Sequence, residues 1–277
     1  EYYQKAGIAT ARYHMVDDLA GCKAFVAQVG YPVVVKPDDG VGANNTYKLR
    51  NDDDVRRFVS TKDDAVYIME EYVNGFVQTY DAILDSHGDP LFESGNITPL
   101  SIMDIVNENG DSRYYLVKEL PERIRDAGLR TVKAFGVTSR FVHLEFFVLN
   151  EDQEGLGKKG DILGLEVNMR PAGGYTPDMI NFANSVDCYQ IWADMVCYDK
   201  NTKPVGAHHF CAFYGRRDGN HYKLDDYEIR MKYAGNIVMS GRIPDALSGA
   251  MANQMYVGRF DTEEELNAFY RDLSDRF

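Results

Sequence analysis

Two segments of this 277-residue chain carry oxygen donors in a pattern suited to a hard cation. "HLEFF" sets Glu145 in an apolar run, and "LEVNMR" sets Glu166 and Asn168 two residues apart, with Arg170 next along. In a strand, side chains spaced by two share a face, so Glu166, Asn168 and Arg170 line one side. If the two segments pair as a hairpin, three oxygen donors converge. Carboxylates that converge among apolar neighbours, with no lysine partner, repel each other, and a divalent cation such as Mg²⁺ relieves that repulsion. Mg²⁺ keeps water and phosphate oxygens among its ligands, which implies a nucleotide. The contrary reading is a solvated strand face, which Leu165 and Val167 permit.

A phosphate-binding group stands earlier in the chain. "GYPVVVKPDDGVGANN" ends a run of valines on Lys36 and follows it with a loop containing Gly40 and Gly42. A lysine at a strand end offers a point charge to phosphate, and glycines let the following backbone amides fold over the same oxygens. The segment is not the G-x-x-x-x-G-K-[ST] loop, and neither is "GLGKKG". His143, two residues before Glu145, shares its face; the H-x-E it forms lacks the P-C-x-x-C of zinc deaminases. His208 and His209 adjoin each other, so strand alternation sends them to opposite faces and a shared metal is not expected.

These residues need elements to hold them. Residues 17–29 and "NDDDVRRFVS" read as capped helices, the second with Asn51 as N-cap and aspartates in its first turn. "YPVVVKP" and "AVYIMEEYV" read as strands, and "QTYDAILDSHGDPLFESGN" as two strands around a turn at 86–89. "PERIRDAGLRTVKAFG" is a helix from Pro121 to Gly136, and "PDMINFANSVDCYQIWADMVC" one long helix with Pro177 in its first turn. The loop "EDQEGLGKKG" between the two metal-site strands reads as mobile. After residue 200 the pattern is richer in strands, "VGAHHFCAFYG" and "QMYVGRF" among them, and it closes on a helix capped by Thr262. Short helices alternating with hairpins argue an α+β fold over a doubly wound parallel sheet.

Composition narrows the class. A net charge of −13 disfavours a general nucleic-acid surface, because a polyanion is met by clustered Lys and Arg. Cys22, Cys188, Cys197 and Cys211 are scattered, with no C-x-x-C, and read as reduced thiols of a cytoplasmic chain. No apolar run is long enough to span a bilayer, and no membrane partner is expected. "GRRDGNHYK" in the last part reads as a local basic patch for an acidic substrate, and "PAGGYTPDM" as a substrate loop leading into a helix start.

Taken together and in order, "GYPVVVKPDDGVGANNT", "YIMEEYVNG", "VHLEFF" and "GLEVNMRPAGG" resemble the ATP-grasp superfamily, over about residues 6–200. The resemblance implies two α+β subdomains gripping ATP. It implies that Lys36, with the loop at Gly40 and Gly42, meets the phosphates, and that Glu70, Glu71, Tyr72 and Val73 form the adenine hinge. Glu70 would accept from the adenine amino group, while the backbones of Glu71 and Val73 pair with the ring edge. Glu145 and Glu166 would bridge two Mg²⁺ ions, with Mn²⁺ as a substitute, Asn168 completing the shell and Arg170 steadying the transferred phosphoryl group. The superfamily commonly has an acidic residue two positions after the hinge glycine; Gly75 is followed by Phe76, Val77 and Gln78, so Asp81 is the candidate ribose contact.

The implied division is an upstream remnant at 1–16, a lid subdomain at 17–75, a central subdomain at 76–200 and a strand-rich region at 201–277. The superfamily's usual N-terminal domain has no counterpart here, so an upstream domain or a second copy of the chain is an expected partner. The implied reaction activates a small carboxylate as an acylphosphate for attack by an amine, as in the amino-acid ligase and carbamoyl-phosphate-synthase-like branch. A biotin-carboxylase-like carboxylation and a truncated or inactive ATP-binding module remain open alternatives.

Overall fold

A computed structural model of the chain describes residues 1–39, 45–99 and 110–277. Two sheets organise it. The smaller has four strands in the order β2 (Tyr13–Met15), β5 (Tyr67–Glu71), β3 (Val33–Pro37), β4 (Tyr47–Leu49), all antiparallel. Helices α2 (Leu19–Val29) and α3 (Asp52–Thr61) cover one of its faces, burying Phe25, Phe58, Val33, Val35 and Met69 between them. Each helix begins where a side chain satisfies amides that the first turn leaves unpaired: Asp18 accepts from Gly21 N, and Asn51 from Asp53 N and Asp54 N. Alternation leaves Val34, Lys36, Lys48, Ile68 and Glu70 on the opposite, half-buried face.

The larger sheet runs β1 (Ala9–Thr10), β11 (Ile162–Asn168), β10 (Arg140–Leu149), β6 (Gly75–Leu84), β8 (Asn96–Thr98), β9 (Ser112–Leu116), β12 (Phe210–Arg216), β14 (Gln254–Phe260), β13 (Ile237–Arg242). Strand β7 (Pro90–Ser94) adds to β6. Its spine is the pairing of β6 with β10 from Leu84↔Arg140 to Gly75↔Leu149. Helices α1 (Tyr2–Lys5) and α4 (Glu122–Phe135) cover one face over Tyr80, Ala82, Leu144 and Phe146. Gly128 sits inside α4 because a Cβ there would lie 2.2 Å from the Tyr80 ring; close approach outweighs the usual helix penalty of glycine. Helices α5 (Thr176–Asn184) and α6 (Cys188–Tyr198) cover the other face at Ile83 and Phe141, while α7 (Asp226–Lys232) and α9 (Glu263–Ser274) pack on Tyr214 and Tyr256. A short α8 (Asp245–Met251) joins β13 to β14.

The architecture is α+β, as the pattern of elements predicts, with several local differences. The single helix expected from 177 to 197 is two: Ser185 turns left-handed (φ 50°), and Asp187 starts α6 by accepting from Tyr189 N and Gln190 N. The strand expected from 205 begins at Phe210, because Gly206 N and His209 N bond to Asn184 O and Ala183 O at the end of α5. The loop expected to be mobile, 151–160, carries internal hydrogen bonds: Gln153 N bonds Gly157 O, Lys158 N bonds Asp161, and Lys159 N bonds Asp152. The arginines of the expected basic patch face inward, while His221 and Lys223 stay exposed and Lys223 pairs with Asp275. Arg216 and Arg217 are buried, and their guanidinium groups donate to the backbone carbonyls of Leu273, Leu224, Gly110, Ser248 and Gly249. All four cysteines are free thiols, and among the described residues no helix is long and apolar enough to cross a membrane.

Candidate active site

Strands β10 and β11 do form the expected hairpin, with a bulge that decides its chemistry. Phe146 pairs with Gly164 and Glu145 with Glu166, so Leu165 is an extra residue opposite no partner. Upstream of the bulge, Ile162 lies with Val148 in the core layer under α4. Unbroken alternation would send Glu166 and Asn168 into that same apolar layer. The extra residue reverses the phase, bringing Glu166 beside Glu145 and Asn168 beside His143 on the opposite face. Tyr3 secures the bulge from behind: its ring lies where a Cβ on Gly164 would fall, 2.5 Å away, and its hydroxyl donates to Glu166 O at 3.2 Å. Burial, with the charges of Glu145 and Glu166, raises the Tyr3 phenol's pKa, keeping it a donor.

The next strand adds a buried polar pair. Across from His143 on β6 stands Asp81, 1% exposed, whose Oδ1 is 2.7 Å from His143 Nδ1 and whose Oδ2 accepts from Thr79 Oγ1 at 2.5 Å. His143 Nε2 lies 3.0 Å from Glu145 Oε1. Burial alone would lower the histidine's pKa, but the charge and hydrogen bond of Asp81, reinforced by Glu145, push it up to about 10. Both ring nitrogens of His143 thus face carboxylate oxygens, which accept hydrogen bonds. Asp81 does not fit the expected ribose contact, since both its oxygens are engaged inside the sheet.

The side chains of Glu166 and Asn168 receive no hydrogen bond from a described residue, and no described lysine or arginine pairs with Glu145 or Glu166. Two facing, partly buried carboxylates and an amide oxygen, all hard donors, fit Mg²⁺. Arg170, just past β11, is exposed and donates to Pro171 O at 2.9 Å.

The smaller sheet presents cations on its open face. Lys36 Nζ lies 2.7 Å from Glu70 Oε2, one step diagonally across β3 and β5. Lys48 on β4, which the sequence reading passed over, holds its ammonium 4.0 Å from the centre of the Tyr72 ring. Gly40 and Gly42 lie outside the described residues. Glu71 is not free to meet a ligand through its carboxylate: it is buried and paired with both Arg12 Nε (2.7 Å) and Nη2 (2.6 Å).

Residues 72–74 link the two sheets. Val73 packs on Leu149 and Leu163, next to the carboxylate row on the same face of β10. Gln153, from the β10–β11 loop, donates to Tyr72 O at 2.6 Å and accepts from Asn74 N at 3.0 Å. Asn74 also donates to Glu151 at 2.5 Å. The link is thus fixed with Lys36, Lys48 and Glu70 on one side and Glu145, Glu166 and Asn168 on the other. Gln153 carried no sequence signal, since its partners are backbone groups about 80 residues away along the chain.

No family model matches the chain, and no curated protein matches it. Solved structures do. N5-carboxyaminoimidazole synthase from Aspergillus clavatus, in complex with ADP and 5-aminoimidazole ribonucleotide, superposes with a TM-score of 0.68 at 12% identity, over 98% of this chain and 70% of that one. L-amino acid ligase from Bacillus licheniformis gives 0.66 at 17% identity, over 99% and 68%. The biotin carboxylase domain of 2-oxoglutarate carboxylase from Hydrogenobacter thermophilus, in complex with MgADP, ADP and bicarbonate, gives 0.67 at 13%, over 98% and 63%. At these identities the likeness establishes a shared fold.

Proposed function

We propose, from the ATP-grasp fold that this chain carries, that it is an ATP-dependent ligase joining a carboxylate to an amine. The observation that carries the reading is the bulged β10–β11 hairpin, which sets Glu145, Glu166 and Asn168 together on one face, next to the hinge residue Val73. In this reading Lys36 leaves Glu70 for the α and β phosphates, and Glu70 accepts from the adenine amino group. Tyr72 O and Asn74 N are held by Gln153, which leaves Glu71 O and Val73 N for the ring edge. Glu145, Glu166 and Asn168 would hold Mg²⁺, which when bound neutralises phosphate charge and aligns the γ-phosphoryl group for in-line transfer.

A substrate carboxylate oxygen attacks the γ-phosphorus, the bond to the β-phosphate oxygen breaks, and ADP leaves as an acylphosphate forms. An amine then adds to the acyl carbon and expels phosphate. Positioning and charge neutralisation suffice for both steps, so no side-chain nucleophile is needed. Arg170 would swing from Pro171 O to the transferring group. The substrate pair would be small molecules, with specificity set by pocket shape near "PAGGYTPDM", where Tyr175 lies against Phe213. The test is ADP release by wild type and Glu166→Gln across carboxylate and amine pairs, with bicarbonate as a separate arm. The variant should fold and lose ADP release; full turnover by it would remove the metal assignment.

A further inference from the structure

Removing a buried carboxylate from water is costly unless every lone pair finds a donor, so the setting of Asp81 calls for a reason. The carboxylate is the hub of a short chain of hydrogen bonds. Asn96 N donates to Thr79 Oγ1 at 2.9 Å, Thr79 Oγ1 donates to Asp81 Oδ2 at 2.5 Å, and His143 Nδ1 donates to Asp81 Oδ1 at 2.7 Å. The contacts lie within paired strands, Asp81 opposite His143 across β6 and β10 and Asn96 on β8 beside β6, so the backbone ladder fixes their geometry. The chain ends on a functional group: His143 Nε2 reaches Glu145 Oε1 at 3.0 Å. Glu145 Oε2 has no hydrogen bond from a described residue.

We infer that Asp81 and His143 are positioning residues: Asp81 orients the imidazole, and the imidazole holds Oε1 of Glu145 so that Oε2 is presented for the metal. The inference rests on the proposed Mg²⁺–nucleotide site and adds to it two residues that touch neither metal nor nucleotide. A carboxylate free to rotate loses that freedom on binding a cation; one already tied at a single oxygen has less to lose.

The experiment removes this orienting pair. Asp81→Asn with His143→Gln keeps approximate volume while removing the imidazole that ties Asp81 to Glu145. Mn²⁺ uptake in the presence of ADP is followed by the loss of the free-ion electron paramagnetic resonance signal, beside ADP binding in EDTA. The double variant should bind Mn²⁺ about 10- to 100-fold more weakly than wild type, with ADP binding in EDTA unchanged. A collapsed fold would lower both. Asp81→Asn alone preserves shape and should shift Mn²⁺ affinity in the same direction, which keeps the test open if the double variant does not fold. Wild-type Mn²⁺ affinity in both variants would overturn the inference and leave the proposed site standing. Absence of ADP-dependent Mn²⁺ uptake in wild type would overturn both.

Discussion

Lys36 and Glu70 touch at 2.7 Å but are 29% and 21% exposed, so water screens much of their attraction and the pair contributes little to folding. Replacing Lys36 by Met should therefore leave the melting temperature nearly unchanged. Losing a charge-assisted contact to phosphate costs about 1.5–3 kcal/mol, so the KM for ATP should rise by roughly 10- to 150-fold. A steady-state titration of ATP beside a melting curve separates the two effects. The strand positions of Lys36, Glu145, Glu166 and Asn168 are legible in the sequence because local spacing sets them. Asp81 was misread for the opposite reason. Its nearness along the chain to the hinge suggested a ribose contact, while strand register, invisible in one sequence, sets it against His143. Lys48 has only a neighbouring strand and Tyr72 to mark it, and neither is adjacent in sequence.

Among the elements, helices with strong end signals were readable: Asn51 and Thr262 cap as expected, and Gly136 ends α4 in the left-handed region. The break between α5 and α6 was missed because apolar periodicity runs on through 184–187, although Asp187 carries the signal of a fresh start. Asp187→Ala should cost about 1 kcal/mol, read as a lower midpoint in denaturant, with little effect on nucleotide binding. The bulge at Leu165 is beyond sequence pattern altogether, since the alternation it interrupts looks regular. Gly164→Ala drives a methyl group into the Tyr3 ring and should destabilise by about 1–3 kcal/mol. Adding Tyr3→Ala should recover part of that loss, so the double-mutant cycle would show the two costs to be non-additive.

At the scale of the whole molecule, two sheets meet at a three-residue link that Gln153 ties to the β10–β11 hairpin. The α+β class followed from the alternation of helices and hairpins, but how the C-terminal strands join the same sheet as the carboxylates did not, because β8 and β9 make that bridge through short pairings. Gln153→Ala removes two hydrogen bonds to the link, each contributing about 1 kcal/mol, and should weaken ATP binding along with stability. The most direct test of an ATP site between the sheets is thermal unfolding with a non-hydrolysable ATP analogue, with and without Mg²⁺, in wild type and Glu166→Gln. A ligand at 100 times its Kd adds about 2.7 kcal/mol to the folded state, or roughly 5 °C in a chain of 277 residues. The account predicts that shift for wild type with Mg²⁺ and its loss in Glu166→Gln. No shift in wild type, or an equal shift in the variant, would contradict it.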